Sequence, residues 1–132
     1  MKNIYLDIDG VLLDHRTGQP AKHLDEFMEK AIANHKCYWL TTHCKGDTDS
    51  ALEQFRGKVG GKTLKLLERV RPTNWSTLKS EGINFEEDFL WLDDNLFESE
   101  KNILHEYGAE KKIILVNLNE NPDQLVEIAK VL

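Results

Sequence analysis

The sequence predicts an α/β fold in which a mainly parallel, Rossmann-like sheet is flanked by helices. Short apolar runs typical of buried strands alternate along the 132 residues with segments of helical periodicity. Aspartates or threonines follow three of these runs, and parallel sheets bind ligands beyond the carboxyl ends of their strands. No linker or repeat interrupts the pattern, and a chain of this length can bury a full core. We therefore expect one domain, residues 1–132.

The strands are predicted from four apolar runs, each short and bounded by polar residues. The first begins at Ile4 and ends at two aspartates, and the others cover residues 37–40, 89–92 and 113–116. Runs of this kind suit parallel strands that are buried on both faces. Trp39 and Trp91 lie inside two of the runs, and we expect both rings to pack in the core under the sheet.

The helices are predicted from apolar spacing and from capping residues. Residues 23–34 form the first, because apolar side chains repeat there at helical spacing: Leu24, Phe27, Met28, Ala31 and Ile32. Ser50 and Glu53 suggest a capping box for a second helix that runs to about Arg56. A third helix is closed by Gly108, and a last one has a capped start at residues 121–124 and runs to the C-terminus. Residues 57–75 are ambiguous, and the segment 64–70 fits a helix or a strand.

Charge and cysteine content exclude several classes of function. The chain has 17 Lys+Arg against 23 Asp+Glu, a formal charge of -6, which argues against broad nonspecific binding of nucleic acid. No apolar run is long enough to span a bilayer, and the N-terminus lacks the apolar region of a signal peptide. Cys37 and Cys44 show neither the CxxC spacing nor the His/Cys cluster of a zinc site. We expect a cytoplasmic protein with reduced thiols and no membrane contact.

Two aspartates, Asp7 and Asp9, stand directly after the first predicted strand, with Ile8 between them and Gly10 after them. A buried carboxylate costs free energy without a partner, and a hard divalent cation such as Mg²⁺ suits carboxylate oxygens. Because side chains alternate along an extended chain, Ile8 faces away and both carboxylates can reach one site. One carboxylate can attack phosphorus while the other protonates the leaving oxygen. The pair therefore indicates a cation site and has the groups that a covalent phosphoryl transfer would use.

A second pair of acids, Asp93 and Asp94, ends the run at residues 89–92. Two clusters of like charge on neighbouring strand ends would repel each other without a metal ion between them. We therefore expect both acid pairs to belong to one metal site.

Thr41 and Lys79 are further candidate site residues, but each is weaker evidence than the acid pairs. Thr41 ends the run at residues 37–40 and Thr42 follows it, while Lys79 lies in a short helix-like segment before the second acid pair. A lysine here would neutralise carboxylate and phosphoryl oxygens. Three other lysines are alternatives for that role: Lys58, Lys62 and Lys65.

Other polar and aromatic residues near these motifs carry less weight. A histidine in a loop is more often solvated or bonded to backbone, and this is what we expect of His43. Cys44 lacks the histidine and asparagine partners of a cysteine nucleophile. We expect His15 and Arg16 in a solvated turn, whereas the pattern leaves Trp75 free to border the site.

Taken in chain order, Asp7/Asp9, Thr41, Lys79 and Asp93/Asp94 resemble the four motifs of the haloacid dehalogenase (HAD) superfamily, whose members are mostly Mg²⁺-dependent phosphatases. The resemblance implies that Asp7 is the nucleophile and Asp9 the acid/base. It also implies that Thr41 and Lys79 bind and neutralise the transferring phosphoryl group. Thr42 takes the place of Thr41 if the strand runs one residue longer.

The same resemblance implies a set of Mg²⁺ ligands. The metal would be bound by Asp7, by Asp93 and by Asp9 through its backbone carbonyl. Asp94 would bind a metal-bound water or a neighbouring loop. The resemblance thus predicts a Mg²⁺-dependent hydrolase of phosphomonoesters that forms an aspartyl-phosphate.

The short segments between the motifs predict a HAD core with no cap domain. Only one helix and a loop at residues 12–23 separate the first two motifs, and the next segment is too short for a folded cap. Members without a cap act on phosphorylated macromolecules, including nucleic-acid ends, or close their site by oligomerising. The substrate is therefore expected to be a phosphorylated small molecule or macromolecule. Two alternatives stay open: a non-catalytic module that binds Mg²⁺ and phosphate, and a phosphotransferase to an acceptor other than water.

Overall fold

Four parallel strands form the centre of the protein. The computed structural model describes all 132 residues. Its strands are β1 (Asn3–Leu6), β2 (Lys36–Trp39), β3 (Phe89–Asp93) and β4 (Ile113–Leu115). They pair in the order β2-β1-β3-β4, and every pairing is parallel. The predicted α/β class with a Rossmann-like parallel sheet is confirmed, and the predicted strand ends differ from the observed ones by at most one residue.

Side chains alternate between two cores, one on each face of the sheet. Ile4 and Leu6 belong to the larger core, and Tyr5 between them belongs to the smaller one. The larger core packs against four helices: α1 (Leu24–Asn34), α2 (Thr48–Glu53), α3 (Gly61–Leu67) and α5 (Gln124–Ala129). The smaller core packs against α4 (Glu98–Glu106). Trp39 and Trp91 are fully buried, one in each core, as predicted. None of these helices combines the length and the apolar composition needed to cross a membrane.

The start of α2 differs from its prediction. Asp47 is the N-cap, and its carboxylate accepts hydrogen bonds from the Asp49 N–H at 2.9 Å and from the Ser50 hydroxyl at 2.8 Å. Ser50 therefore lies within the first turn, and the predicted capping box of Ser50 and Glu53 is wrong. Asp and Ser are about equally good N-caps, so residue type alone does not separate the two positions. The helix ends at Glu53, before the predicted Arg56.

The last helix, α5, also starts without its predicted cap and ends before the C-terminus. The Asp123 side chain makes no capping hydrogen bond, and the helix ends at Ala129. The Gln124 side chain instead reaches the free edge of β4. Its Oε1 accepts from the Asn117 N–H at 2.7 Å, and its Nε2 donates to the Leu115 carbonyl at 3.0 Å.

The opposite edge of the sheet is closed by the segment that follows α3. The ambiguous stretch 64–70 proves to be helical up to Leu67, and Arg71 then forms a single parallel bridge beside β2. The Arg71 N–H donates to the Cys37 carbonyl at 2.9 Å, and the Arg71 carbonyl accepts from the Trp39 N–H at 2.8 Å. Each edge of the sheet thus receives hydrogen bonds from elsewhere in the chain.

The order of the strands determines where a ligand can bind. The chain leaves β1 for β2 on one side and then crosses to β3 on the other, so a topological switch point lies between β1 and β3. Open α/β sheets bind ligands at such a point, beyond the carboxyl ends of the strands. Leu6 pairs with Leu92, and the Asp7 N–H donates to the Leu92 carbonyl at 3.1 Å. Asp7 and Asp93, the next residue on each strand, therefore lie side by side at the switch point.

Candidate functional site

Three carboxylates meet at this point. Oxygen atoms of Asp7, Asp93 and Asp94 all lie within 4.8 Å of one another. Asp7 and Asp93 are buried, while Asp94 is exposed. Backbone groups hold one oxygen of each buried acid: Asp7 Oδ1 accepts from the Ile8 N–H at 2.8 Å, and Asp93 Oδ1 accepts from the Asp94 N–H at 2.8 Å. The second oxygen of each acid, Oδ2, faces the Lys79 ammonium group.

Lys79 occupies the gap between the two buried acids. Its Nζ lies 2.8 Å from Asp93 Oδ2 and 3.3 Å from Asp7 Oδ2. Burial alone would lower the pKa of Lys79, but the carboxylates of Asp7 and Asp93 outweigh it and the pKa is raised. The side chain is therefore a partly buried ammonium ion. Of the alternative lysines, Lys62 instead pairs with Glu29 on the surface at 2.6 Å.

Two glutamates that the sequence analysis did not single out hold the backbone around Lys79. Lys79 begins a 3₁₀ turn (Lys79–Gly82), and the Glu81 carboxylate accepts from the Leu78 N–H at 2.8 Å. Glu100 of α4, a buried residue, accepts from the Ser80 N–H at 3.1 Å. Burial raises the pKa of Glu100. The signal that could have revealed it is its spacing of four from Leu104, which places an acid on the buried face of α4.

The electrostatics of the cluster favour a bound cation. Burial, reinforced by the neighbouring charge of Asp93, raises the pKa of Asp7 to about 7. Burial and a hydrogen bond with Asp93 likewise raise the pKa of Asp94. Both shifts arise first from burial and then from the neighbouring carboxylates, and a divalent cation would offset the negative charge of these groups.

Gly10 makes room for the third carboxylate. A Cβ at this position would lie 2.2 Å from Asp94 Oδ2, and the backbone φ of +83° is one that residues with a side chain rarely adopt. Glycine thus allows the Asp94 side chain to lie against the loop after β1. Three carboxylates with no nitrogen or sulfur donor among them suit a hard ion, so the cluster fits Mg²⁺.

Asp9 lies apart from this cluster and pairs with a histidine. Its Oδ2 is 2.8 Å from Nε2 of His43, and the two side chains are 47% and 29% exposed. The expectation that the His43 side chain is solvated or bonded to backbone is therefore wrong. The pair joins two loops 34 residues apart in the chain, which a local sequence pattern does not encode.

The two threonines after β2 occupy different environments. Thr41 is fully buried, and its Oγ1 accepts from the His43 N–H at 3.3 Å. Thr42 is exposed and lines the cavity above the acids, whereas Thr41 does not. Cys44, which follows in the same turn, is fully buried.

The cavity above the acids has a volume of about 320 Å³. Its walls include Trp75 and His15, and the ring of Phe97, which is 59% exposed, lies at its border. The Lys45 ammonium group lies 4.2 Å from the centre of the Trp75 ring. Arg16 does not line the cavity. The site therefore combines three carboxylates at the base of the cavity, one partly buried lysine and two aromatic side chains.

Comparison of the chain with protein-family models, with curated proteins and with solved structures gives no match in any of the three. The HAD resemblance therefore stays a prediction, and the chemistry of the site must be argued from its own residues.

Proposed function

We propose that this protein is a Mg²⁺-dependent phosphomonoester hydrolase of the HAD type, working through an aspartyl-phosphate. One observation carries the proposal: a partly buried lysine joins two aspartates at the ends of adjacent parallel strands, with a third carboxylate beside them. Such a group has the charges that phosphoryl transfer needs, because anionic oxygens gather around the phosphorus in its transition state.

The metal would be held by Asp7, Asp93 and Asp94. The first two follow the resemblance, and Asp94 is added because its carboxylate belongs to the same cluster. When bound, Mg²⁺ supplies positive charge that offsets the charge of the phosphoryl oxygens. Lys79 supplies a second positive charge beside Asp7 and Asp93, and its charge lowers the pKa of Asp7, which partly offsets the effect of burial and favours the ionised nucleophile.

Asp7 and Asp9 divide the covalent steps between them. A carboxylate oxygen of Asp7 attacks phosphorus, the bond from phosphorus to the leaving oxygen breaks, and Asp9 gives that oxygen a proton. Asp9 then takes a proton from a water molecule, whose oxygen attacks the aspartyl-phosphate. Inorganic phosphate leaves and Asp7 is restored as a carboxylate.

Thr42 is the better candidate for the hydroxyl that binds the phosphoryl group. Thr42 lines the cavity, whereas the Thr41 hydroxyl is buried and accepts a hydrogen bond from the turn. We assign Thr41 the task of shaping that turn. Since one helix lies between β1 and β2 and short elements lie between β2 and β3, we also propose a core without a cap, acting in the cytoplasm on a phosphorylated small molecule or macromolecule.

The test is Mg²⁺-dependent release of phosphate from a panel of monoesters, including an aryl phosphate, sugar phosphates, mononucleotides, phosphopeptides and phosphorylated oligonucleotides. Asp7→Asn should abolish turnover because an amide cannot serve as the nucleophile. Asp88→Asn is the matched control, since Asp88 pairs with Lys112 on the surface. Turnover that survives in Asp7→Asn would refute the mechanism. Mg²⁺ binding without turnover on the whole panel would favour a binding module, and transfer of phosphate to added alcohols would indicate a phosphotransferase.

A further inference from the structure

The hydrogen bond between His43 and Asp9 has no part in the mechanism described so far. Asp9 Oδ2 lies 2.8 Å from His43 Nε2, and Asp9 also lines the cavity. A carboxylate oxygen accepts hydrogen bonds, so His43 donates through an Nε2–H. Asp9 Oδ1 then remains the oxygen that has no protein partner and is free to exchange a proton with a ligand.

The turn that carries His43 is fixed at both ends. The Cys44 N–H donates to the Thr41 carbonyl at 3.1 Å, and the His43 N–H donates to Thr41 Oγ1 at 3.3 Å. Thr41 and Cys44 are both fully buried, so they anchor the turn in the core. His43 is therefore presented to Asp9 by a rigid segment. Asp9, in contrast, is half-exposed, and its carboxylate could rotate freely without this contact.

We propose that His43 is a positioning residue for Asp9: the imidazole fixes the Asp9 carboxylate so that Oδ1 faces the reacting oxygen. This inference rests on the proposed phosphatase activity. The bond to Oδ2 can persist through both steps, because Oδ2 accepts a hydrogen bond whether or not Oδ1 carries a proton. In the first step the Oδ1 proton passes to the leaving oxygen as its bond to phosphorus breaks. In the second, Oδ1 takes a proton from the attacking water.

Comparing substrates with two different leaving groups distinguishes this role of His43 from a general effect on the stability of the protein. An alkoxide leaving group needs a proton from Asp9, whereas 4-nitrophenolate is stable as an anion and leaves without one. The quantity to compare is kcat/KM, which reports only the steps up to formation of the aspartyl-phosphate. We expect His43→Ala to lower kcat/KM by about 10- to 100-fold for a primary alkyl phosphate and much less for 4-nitrophenyl phosphate.

Three variants complete the design. His43→Gln, whose amide can donate in place of Nε2, should recover most of the activity on the alkyl phosphate. His43→Asn, whose amide takes the place of Nδ1, should behave as His43→Ala and repeats the test if that variant fails to fold. His105→Ala is the matched control, because His105 pairs with Glu110 on the surface. In an Asp9→Asn background, His43→Ala should cause no further loss.

The outcomes separate this inference from the proposed function. Equal losses on both substrates, or full additivity with Asp9→Asn, would overturn the role of His43 while leaving the phosphatase intact. A wild-type protein with no Mg²⁺-dependent turnover would overturn the proposed function and this inference with it. Selective loss on the alkyl phosphate, with rescue by His43→Gln, would support both.

Discussion

Replacing Gly10 by alanine should weaken both the fold and the metal site. Two costs arise from the new Cβ. The backbone at φ +83° becomes strained, which costs about 1–2 kcal/mol for a residue with a side chain. The Cβ also lies 2.2 Å from Asp94 Oδ2 and 2.9 Å from Asp94 Cβ, so the whole Asp94 side chain must move. Rotation of the exposed Asp94 side chain can relieve the clash with its carboxylate but not the clash with its Cβ, so the second cost falls on backbone stability as well as on metal binding.

A second glycine serves as a control that separates the cost of backbone strain from the cost of displacing Asp94. Gly57 has a similar φ of +77°, but a Cβ there would meet nothing within 4 Å. Gly57→Ala should therefore lose the same ~1–2 kcal/mol of stability without any change in the site. The assays are urea unfolding in the presence of a chelator and calorimetric titration with Mg²⁺. We expect Gly10→Ala to lose at least as much stability as Gly57→Ala in the first assay, because of the added Cβ clash, and to bind Mg²⁺ at least about tenfold more weakly in the second, a loss of about 1.4 kcal/mol. Equal Mg²⁺ affinity in the two variants would refute the placement of Asp94 among the metal ligands.

Two further predictions concern the charges of the site. Lys79→Met leaves the carboxylates of Asp7 and Asp93 buried without their cation. In the presence of a chelator, the variant should therefore have a free energy of unfolding about 3 kcal/mol lower than that of the wild type. Added Mg²⁺ should stabilise the variant more than it stabilises the wild type. A variant as stable as the wild type without metal would contradict this. The pKa of Asp7, about 7 instead of 3.8, predicts that the metal-free protein loses stability as the pH rises through 7, because the folded state binds the extra proton below that value. Urea unfolding at pH 5 and pH 8 should show the decline in the wild type and a weaker one in Asp7→Asn. An equal decline in both proteins would assign it to other groups.

The meeting of Asp7 with Asp93 could be predicted because the edge of a parallel sheet collects whatever follows its strands, whereas Lys79 follows no strand and is expected there only from the resemblance. Once the runs ending at Leu6 and Leu92 are recognised as strands, Asp7 and Asp93 must lie at the same edge. The contact of Asp9 with His43 could not be found this way, since it depends on how two loops fold over that edge. The choice of Thr41 as the phosphate-binding hydroxyl depends on the same loop conformation. Neighbouring residues differ completely in burial there, so a shift of one position changes which hydroxyl meets the cavity.

Local signals failed where two residues could perform one task. Asp47 and Ser50 both suit an N-cap, so residue type alone does not decide between them. Glu81 and Glu100 could not be identified from the sequence, because an isolated acid in a highly charged sequence is most often a solvent-exposed surface residue. Their task, holding backbone N–H groups beside Lys79, becomes visible only when the turn and α4 are placed together.

The closed edges of the sheet bear on how the protein behaves in a crowded solution. An unpaired strand edge is a template for strand addition by other molecules, and short or covered edges are a protection against it. Here β4 is only three residues long and the Gln124 amide binds the Leu115 carbonyl at its edge, while Arg71 forms a backbone bridge beside β2. Because Gln124 is the first residue of α5, detachment of that helix would free the Leu115 carbonyl for another strand. Self-association through intermolecular β-pairing should therefore begin with the detachment of α5, before the sheet itself unfolds.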